Sequence, residues 1–377
     1  MTMTGRKIND EAAENSKLGK LKTKLDAKLP SHKKELKSLR ITNDNIEEHR
    51  IDILAKGRKL KYPIQYSKRR LIAISLLVVI VAITAFSVWL NIALYKQQQT
   101  GDFFFSITKV LPLNVAKVDG TSVRYEDYLR RLRADVYYYL NREQRSFNSE
   151  EGKRELDYRK RINLDVAEKA AYVHKLAKEN SISVNREQID EEIKQMREAD
   201  GATEEDLINT LELYYGWSLA DFQVTVEDQL LERAVAYTID DEAKAKIEDI
   251  ERRLEAGEDF AALAAQLSDD DSSKQNGGVV TVNLEDNARD PSGIVDLVSE
   301  LKIGETMSEP GRVQIDNTNY YYIARLDKLS EESISYSIIM VRLDKLNNMF
   351  AQVQNDGQIE EYIEVPSLSN LTTPAGQ

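Results

Sequence analysis

Apolar and polar positions are arranged in three different ways along this chain. From Leu71 to Tyr95 no charged residue occurs, and the centre, Leu76-Leu77-Val78-Val79-Ile80-Val81, is continuously apolar. Lipid offers the backbone no hydrogen-bond partner, so such a run has to satisfy itself as a helix. At about 1.5 Å per residue it reaches about 37 Å, enough to cross a hydrocarbon layer of roughly 30 Å with some tilt. Trp89 and Tyr95 stand near its far end, where amphipathic rings favour the headgroup level. The pattern predicts a single transmembrane helix at 71–95.

Residues 96–112 read as a linker, in which Phe103-Phe104-Phe105 is either a membrane contact or the start of the folded body. From residue 113 the spacing is helical. A short alternating strand, Asn114 to Val118, closes on Asp119-Gly120, a hairpin-turn pair. Tyr125, Tyr128, Leu129, Leu132, Val136, Tyr139 and Leu140 then keep i, i+3, i+4 spacing and line one helix face. A second long helix carries Ile162, Val166, Ala170, Val173 and Ala177. Three further helices open at Asn185 with Gln188, Thr203 with Asp206, and Ser218 with Asp221, pairs suited to reciprocal capping. This is an all-α module over 113–239.

Beyond Asp240 helices and strands mix. Ile247, Ile250 and Leu254 mark a helix, and Phe260, Leu263, Ala264 and Leu267 a shorter one. The loop Ser268 to Gly278 leads to a strand at Val279–Leu284, a helix at Ile294–Leu301, and strands at Gly311–Ile315, Tyr320–Leu326 and Ile334–Leu343. The fold class is thus one transmembrane helix, an all-α module, and an α+β domain over 240–345 that includes a C-terminal strand. Residues 346–377 form a C-terminal segment and tail, frayed from Ser367 onward.

Charge divides at the apolar run. Residues 1–70 hold 19 Lys/Arg against 9 Asp/Glu, and residues 96–377 hold 33 against 55. Lys56, Arg58, Lys59, Lys61, Lys68, Arg69 and Arg70 precede the span closely; only Lys96 and Lys109 follow it. This bias places the N-terminus in the cytoplasm and the rest outside. Residues 1–70 read as a disordered basic tail, either solvated and simply setting topology or attracted to anionic lipid. The acidic outer portion argues against nucleic acid there. Without cysteine there is no disulfide framework and no thiolate zinc site. The histidines are His32, His49 and His174, so nothing downstream supplies a histidine base. Asp269-Asp270-Asp271 lacks the alternating spacing of a calcium loop. No metal and no cofactor is expected.

Two resemblances follow from strings in order. Val115-Ala116-Lys117-Val118-Asp119-Gly120 before a helix, Ala-Lys-Glu-Asn-Ser-Ile-Ser-Val before Asn185-Arg186-Glu187-Gln188, and the helix Ser218 to Arg233 resemble the chaperone module of SurA-like and PrsA-like foldases. Gly257-Glu258-Asp259-Phe260-Ala261-Ala262-Leu263-Ala264, the Ser268-Asp269-Asp270 to Asn276-Gly277-Gly278 loop, Leu301-Lys302-Ile303-Gly304-Glu305 before Pro310, and Tyr320 to Lys328 resemble a parvulin-type (PpiC-like) peptidyl-prolyl isomerase, or rotamase, domain. The family's opening-strand histidine has no counterpart ahead of Asp241; the nearest string, Tyr336 to Val341, comes last, with Ile338 in that place. The closing-strand histidine falls on Tyr321, the acidic loop position on Asp270, and the pocket aromatics on Ile294 and Ser299.

Prolyl isomerisation breaks no covalent bond; its barrier of about 20 kcal/mol is lost amide resonance. A catalyst needs an apolar seat for the ring and polar groups that favour the twisted amide. Asp270 and Tyr321 are the candidate catalytic groups, and Ile294, Ser299 and Ile338 the candidate pocket. Tyr125, Tyr128, Tyr139, Tyr214, Tyr215 and Trp217 are the candidate client-binding groups, since tyrosine combines apolar area with a polar tip. The resemblance implies a membrane-anchored extracytoplasmic foldase whose partners are unfolded or newly translocated polypeptides and the lipid bilayer, with isomerase activity weak or lost. An active isomerase, and a structural protein of the envelope or division machinery, are the alternatives.

Overall fold

The computed structural model describes residues 43–61, 68–284 and 292–368. Most of the basic tail and the final residues, for which disorder and fraying are expected, lie outside these. The chain divides into two compact units, 1–84 and 85–377.

In the first unit, Asn43–Lys61 forms helix α1 where the charge pattern predicts an unstructured tail. Its exposed apolar residues, among them Ile51, Ile53 and Leu60, find no core. Good helix formers and local pairs such as Lys56 with Asp52 (2.6 Å) account for it. Helix α2, Lys68–Asn91, carries the apolar run and passes into a π-turn at Ile92–Lys96. Among the described residues it is the one stretch long and apolar enough to cross a membrane.

The second unit starts with the end of α2. Leu90, Ala93 and Leu94 are buried there, the Tyr125 hydroxyl donates to the Leu94 carbonyl (2.6 Å), and the Tyr95 hydroxyl donates to that of Asn114 (2.8 Å). The expected linker at 96–112 is replaced by structure. Asp102–Val110 is helix α3, whose Phe104, Phe105 and Ile107 pack on the core. Apolar side chains at two successive turns give this segment something to bury, which composition alone does not convey.

Strands β1 (Asn114–Val118) and β2 (Thr121–Arg124) make an antiparallel hairpin. Its turn residues Asp119 and Gly120 both take positive φ (43° and 81°), as a two-residue hairpin demands. Five helices follow: α4 (Tyr125–Asn141), α5 (Glu150–Glu179), α6 (Arg186–Ala199), α7 (Glu204–Tyr215) and α8 (Leu219–Ile239). The last three open on complete capping boxes, at Asn185/Gln188, Thr203/Asp206 and Ser218/Asp221.

Next come α9 (Asp241–Glu255), α10 (Phe260–Leu267), β3 (Val279–Asn283), α11 (Ile294–Ser299), β4 (Gly311–Ile315), β5 (Thr318–Leu329) and β6 (Ser333–Arg342). The four strands form one antiparallel sheet in the order β3-β6-β5-β4. The strand that comes last in sequence therefore lies inside, between β3 and β5. Alternation along β5 and β6 sends Tyr321, Ile323, Ile339 and Val341 to one face and Tyr322, Ala324, Ile338 and Met340 to the other. The first face shares a continuous core with the helices; the second packs on α11. The chain then returns. Helix α12 (Lys345–Asn355) sets Phe350 against Tyr172 of α5 (ring centroids 5.8 Å), and β7 (Ile359–Glu361) joins the hairpin beside β1. Arg161 of α5 donates to Glu361 at 2.7 Å and seals this closure.

Candidate functional site

Tyr321 and Asp270 are not brought together with the pocket positions. Tyr321 lies on the sheet face turned toward α8. It is buried edge-on against Tyr237 (5.1 Å between ring centroids), and its hydroxyl reaches the Tyr237 carbonyl only at 3.4 Å. Burial raises its pKa, so the hydroxyl stays neutral. Ile294 and Ile338 lie on the opposite face, buried together with Val298, Tyr322, Tyr336 and Met340. Ser299 turns its hydroxyl back onto the Val295 carbonyl of its own helix (2.7 Å). Three tyrosines, Tyr320, Tyr322 and Tyr336, belong to that apolar face.

Asp270 is occupied locally. Its carboxylate accepts from the backbone N–H of Ser272 (3.1 Å) and Ser273 (3.2 Å) and from both their hydroxyls. Burial would raise its pKa, but these hydrogen bonds outweigh burial and hold the carboxyl below its usual range. Asp269, which sequence reasoning missed, helps tie the loop to the sheet. It accepts from Lys246 at 2.8 Å through both oxygens and from the Arg342 N–H (3.0 Å). Its own N–H donates to the Met340 carbonyl (2.7 Å). Gly278 has φ +83°, and a Cβ there would stand 2.4 Å from the Ile338 carbonyl, so this loop approaches β6 as only glycine permits.

The candidate client-binding aromatics separate into two groups. Tyr125 and Tyr128 are fully buried, under the end of α2 and against α5, and cannot meet a client; burial pushes both hydroxyls to higher pKa. Tyr139, Tyr215 and Trp217 instead line an open cleft of about 400 Å³ with Tyr138, Arg131, Asp135, Asn163 and Val166. Tyr138 stacks on Tyr215 (6.2 Å, 19° between planes), and Tyr215 lies 5.5 Å from Trp217. The Trp217 indole N–H donates to the Arg130 carbonyl (3.2 Å), which fixes the ring. Tyr214 stands beside this group under the Arg142 guanidinium, 3.9 Å from its ring centre. At the floor Asn163 donates to Asp135 (2.9 Å), and burial raises the Asp135 pKa against the pull of Asn163 and Arg159. Aromatic walls over a polar floor suit an apolar side chain together with the peptide groups beside it. Tyr138 was within reach of the sequence, as one of three consecutive tyrosines; Arg131, Asp135 and Asn163 carried no signal.

Comparison with known proteins finds two family models along the chain. The SurA-like N-terminal domain matches residues 64–236, and the PPIC-type PPIase domain matches residues 235–315. This chain joins a SurA-like N-terminal domain to a PPIC-type prolyl isomerase domain. The SurA-like match takes in the apolar helix as well as α3 to α7 and most of α8. The PPIC-type match ends with β4, before the strand that carries Tyr321. Among solved structures the chain is similar to the peptidylprolyl isomerase PrsA from Bacillus anthracis. That match has 18% identity, covers 53% of this chain and 86% of that one, and has a TM-score of 0.16, too low to relate the two arrangements in space. No curated protein matches the chain.

Proposed function

We propose that this chain is a membrane-anchored foldase whose SurA-like domain holds unfolded polypeptide in the aromatic cleft, beside a PPIC-type domain of weak or no isomerase activity. The open cleft of Tyr138, Tyr139, Tyr215 and Trp217 carries the reading. It presents aromatic area above a small polar floor of Asp135 and Asn163 that are already paired with each other, which suits loose binding of many clients. Weak isomerase activity follows from the other domain: Asp270 is saturated by two serines, and Tyr321 stands on the far side of the sheet from Ile294 and Ile338. Loss of one oriented polar group from a catalytic site costs about 3 kcal/mol, about a hundredfold in rate. The apolar helix is the anchor, and its basic flank sets a cytoplasmic N-terminus.

The test uses the full chain in detergent or vesicles. Suppression of aggregation of an unfolded client should be present and should fall in a Tyr215→Ala/Trp217→Ala variant that keeps its melting temperature. Isomerisation of a proline peptide should be slow, and unchanged in Asp270→Ala. A rate equal to an ordinary parvulin, lost in Asp270→Ala, restores the active-isomerase reading. Absence of both activities leaves the structural-protein alternative. Protease added to spheroplasts should remove epitopes beyond Lys96 and spare those before Arg70.

A further inference from the structure

We infer that helix α3 is a membrane-interfacial element, seating the folded body directly on the bilayer surface with Phe103 in the lipid. The inference rests on reading the apolar helix as a membrane span, and it concerns a contact that the span alone does not require.

The first observation is length. The last part of the apolar run is not free for lipid, because Leu90, Ala93 and Leu94 are buried in the body. What remains, Leu71–Trp89, is about 28 Å long at about 1.5 Å per residue. That matches a hydrocarbon layer of roughly 30 Å with nothing to spare. No slack chain separates the end of the span from the core, so the body begins where the lipid ends.

The second observation is what surrounds that end. Trp89 stands 5.7 Å from Phe86 on its own helix, and 6.0 Å from Phe103 and 5.6 Å from Phe104 of α3 (ring centroids). Phe104 turns inward to the core, whereas Phe103 is 53% exposed. Phe103 and Val110 stand at i and i+7 on the side of α3 where Ile107 tucks into the core between them, and Val110 and the following Leu111 are exposed as Phe103 is. Water is a poor solvent for such exposed apolar groups, and Phe103 lies beside Trp89 at the end of α2. Wherever the span carries Trp89, Phe103 goes with it. Bulky aromatic rings at this level match the belt that membrane proteins place at the headgroups. The occupant is therefore the same bilayer, met a second time by an amphipathic helix lying along its surface.

The test is depth-dependent fluorescence quenching of the full chain in vesicles containing lipids brominated near the top of the acyl chains. Trp217→Phe leaves Trp89 as the single tryptophan. Trp89→Phe/Trp217→Phe/Phe103→Trp places the single reporter on α3. Far-UV circular dichroism and the melting temperature establish that both variants are folded. Both reporters should be quenched to a comparable degree, and both should be poorly reached by aqueous acrylamide. If Trp89 is quenched and the α3 reporter is not, the seat is wrong while the anchor stands. Burial of the α3 reporter from both quenchers assigns these apolar groups to a second copy of the chain and equally overturns the seat. If neither reporter is quenched by lipid, the anchor itself fails, and the seat with it.

Discussion

Replacing Glu168 by glutamine should stabilise this protein at neutral pH and leave it unchanged in mild acid. Glu168 lies on α5 with its side chain 1% exposed, and its Oε1 has no hydrogen-bond partner. Arg161 approaches at 3.5 Å, but that guanidinium is already engaged by Asp165 (2.5 Å) and Glu361 (2.7 Å). Burial outweighs its attraction, and the carboxyl is pushed up from 4.5 to about 8. A carboxyl that keeps its proton in the folded state, over a range where the unfolded chain has lost it, makes folding take up a proton. Stability from this group is therefore lost as pH rises from about 4.5 and stops falling above about 8. At about 1.4 kcal/mol per pH unit, the loss between pH 5 and pH 7 has a ceiling of about 2–3 kcal/mol. For a unit of this size that is a melting-temperature change of several degrees. The neutral amide of Glu168→Gln removes the dependence. Thermal melts of the full chain and the variant in the same detergent, from pH 5 to pH 8, should coincide at the acid end and diverge in favour of the variant toward pH 8. A variant that is less stable than the native chain at pH 7–8 shows Glu168 ionised and paired with Arg161, and refutes the reasoning.

Gly278→Ala should destabilise the PPIC-type domain by more than the roughly 1–2 kcal/mol of the left-handed backbone alone, since the new Cβ also meets the Ile338 carbonyl; denaturant unfolding reads this. Truncation after Leu329 removes β6 with Ile334, Ile338, Ile339, Met340 and Val341; at about 1.5–3 kcal/mol each this takes on the order of 10 kcal/mol, as much as a whole domain's stability, and should leave insoluble or protease-sensitive product. Ser218→Ala removes the hydroxyl that caps α8 and should cost about 1 kcal/mol in the same unfolding assay, with aggregation suppression retained. Tyr321→Phe should leave isomerisation of a proline peptide unchanged, because the hydroxyl makes only a long contact on the face away from Ile338.

Local features of this fold are legible in the amino-acid order. The boxes at Asn185, Thr203 and Ser218 and the Asp119-Gly120 turn depend on residues a few positions apart, and each formed. The apolar run likewise needs only its own composition to be helical. Which residues form the candidate site is much less legible. Tyr125, Tyr139 and Trp217 belong to the same aromatic class, yet one is sealed under the end of α2 and the other two border a cleft. A helix face states that something covers it and not what does. Tyr321 and Tyr322 differ by a single step along β5, and period-two alternation puts them on opposite sides of the sheet, so placing a function on one or the other requires the register.

By itself, then, the amino-acid order determined most of the elements between 113 and 343, their caps, the apolar helix and the succession of a helical module and an α+β domain, all products of short-range periodicity and charge, while α1 and α3 escaped it. Tertiary structure alone decided that β6 enters the middle of the sheet from the end of the domain. It also decided that Leu90, Ala93 and Leu94 leave the apolar run for the core, and that Ile359–Glu361 return to pair with β1. Each joins residues far apart in the chain through backbone hydrogen bonds and buried area. Those forces act on whatever surface folding brings near, and no local pattern encodes the distance.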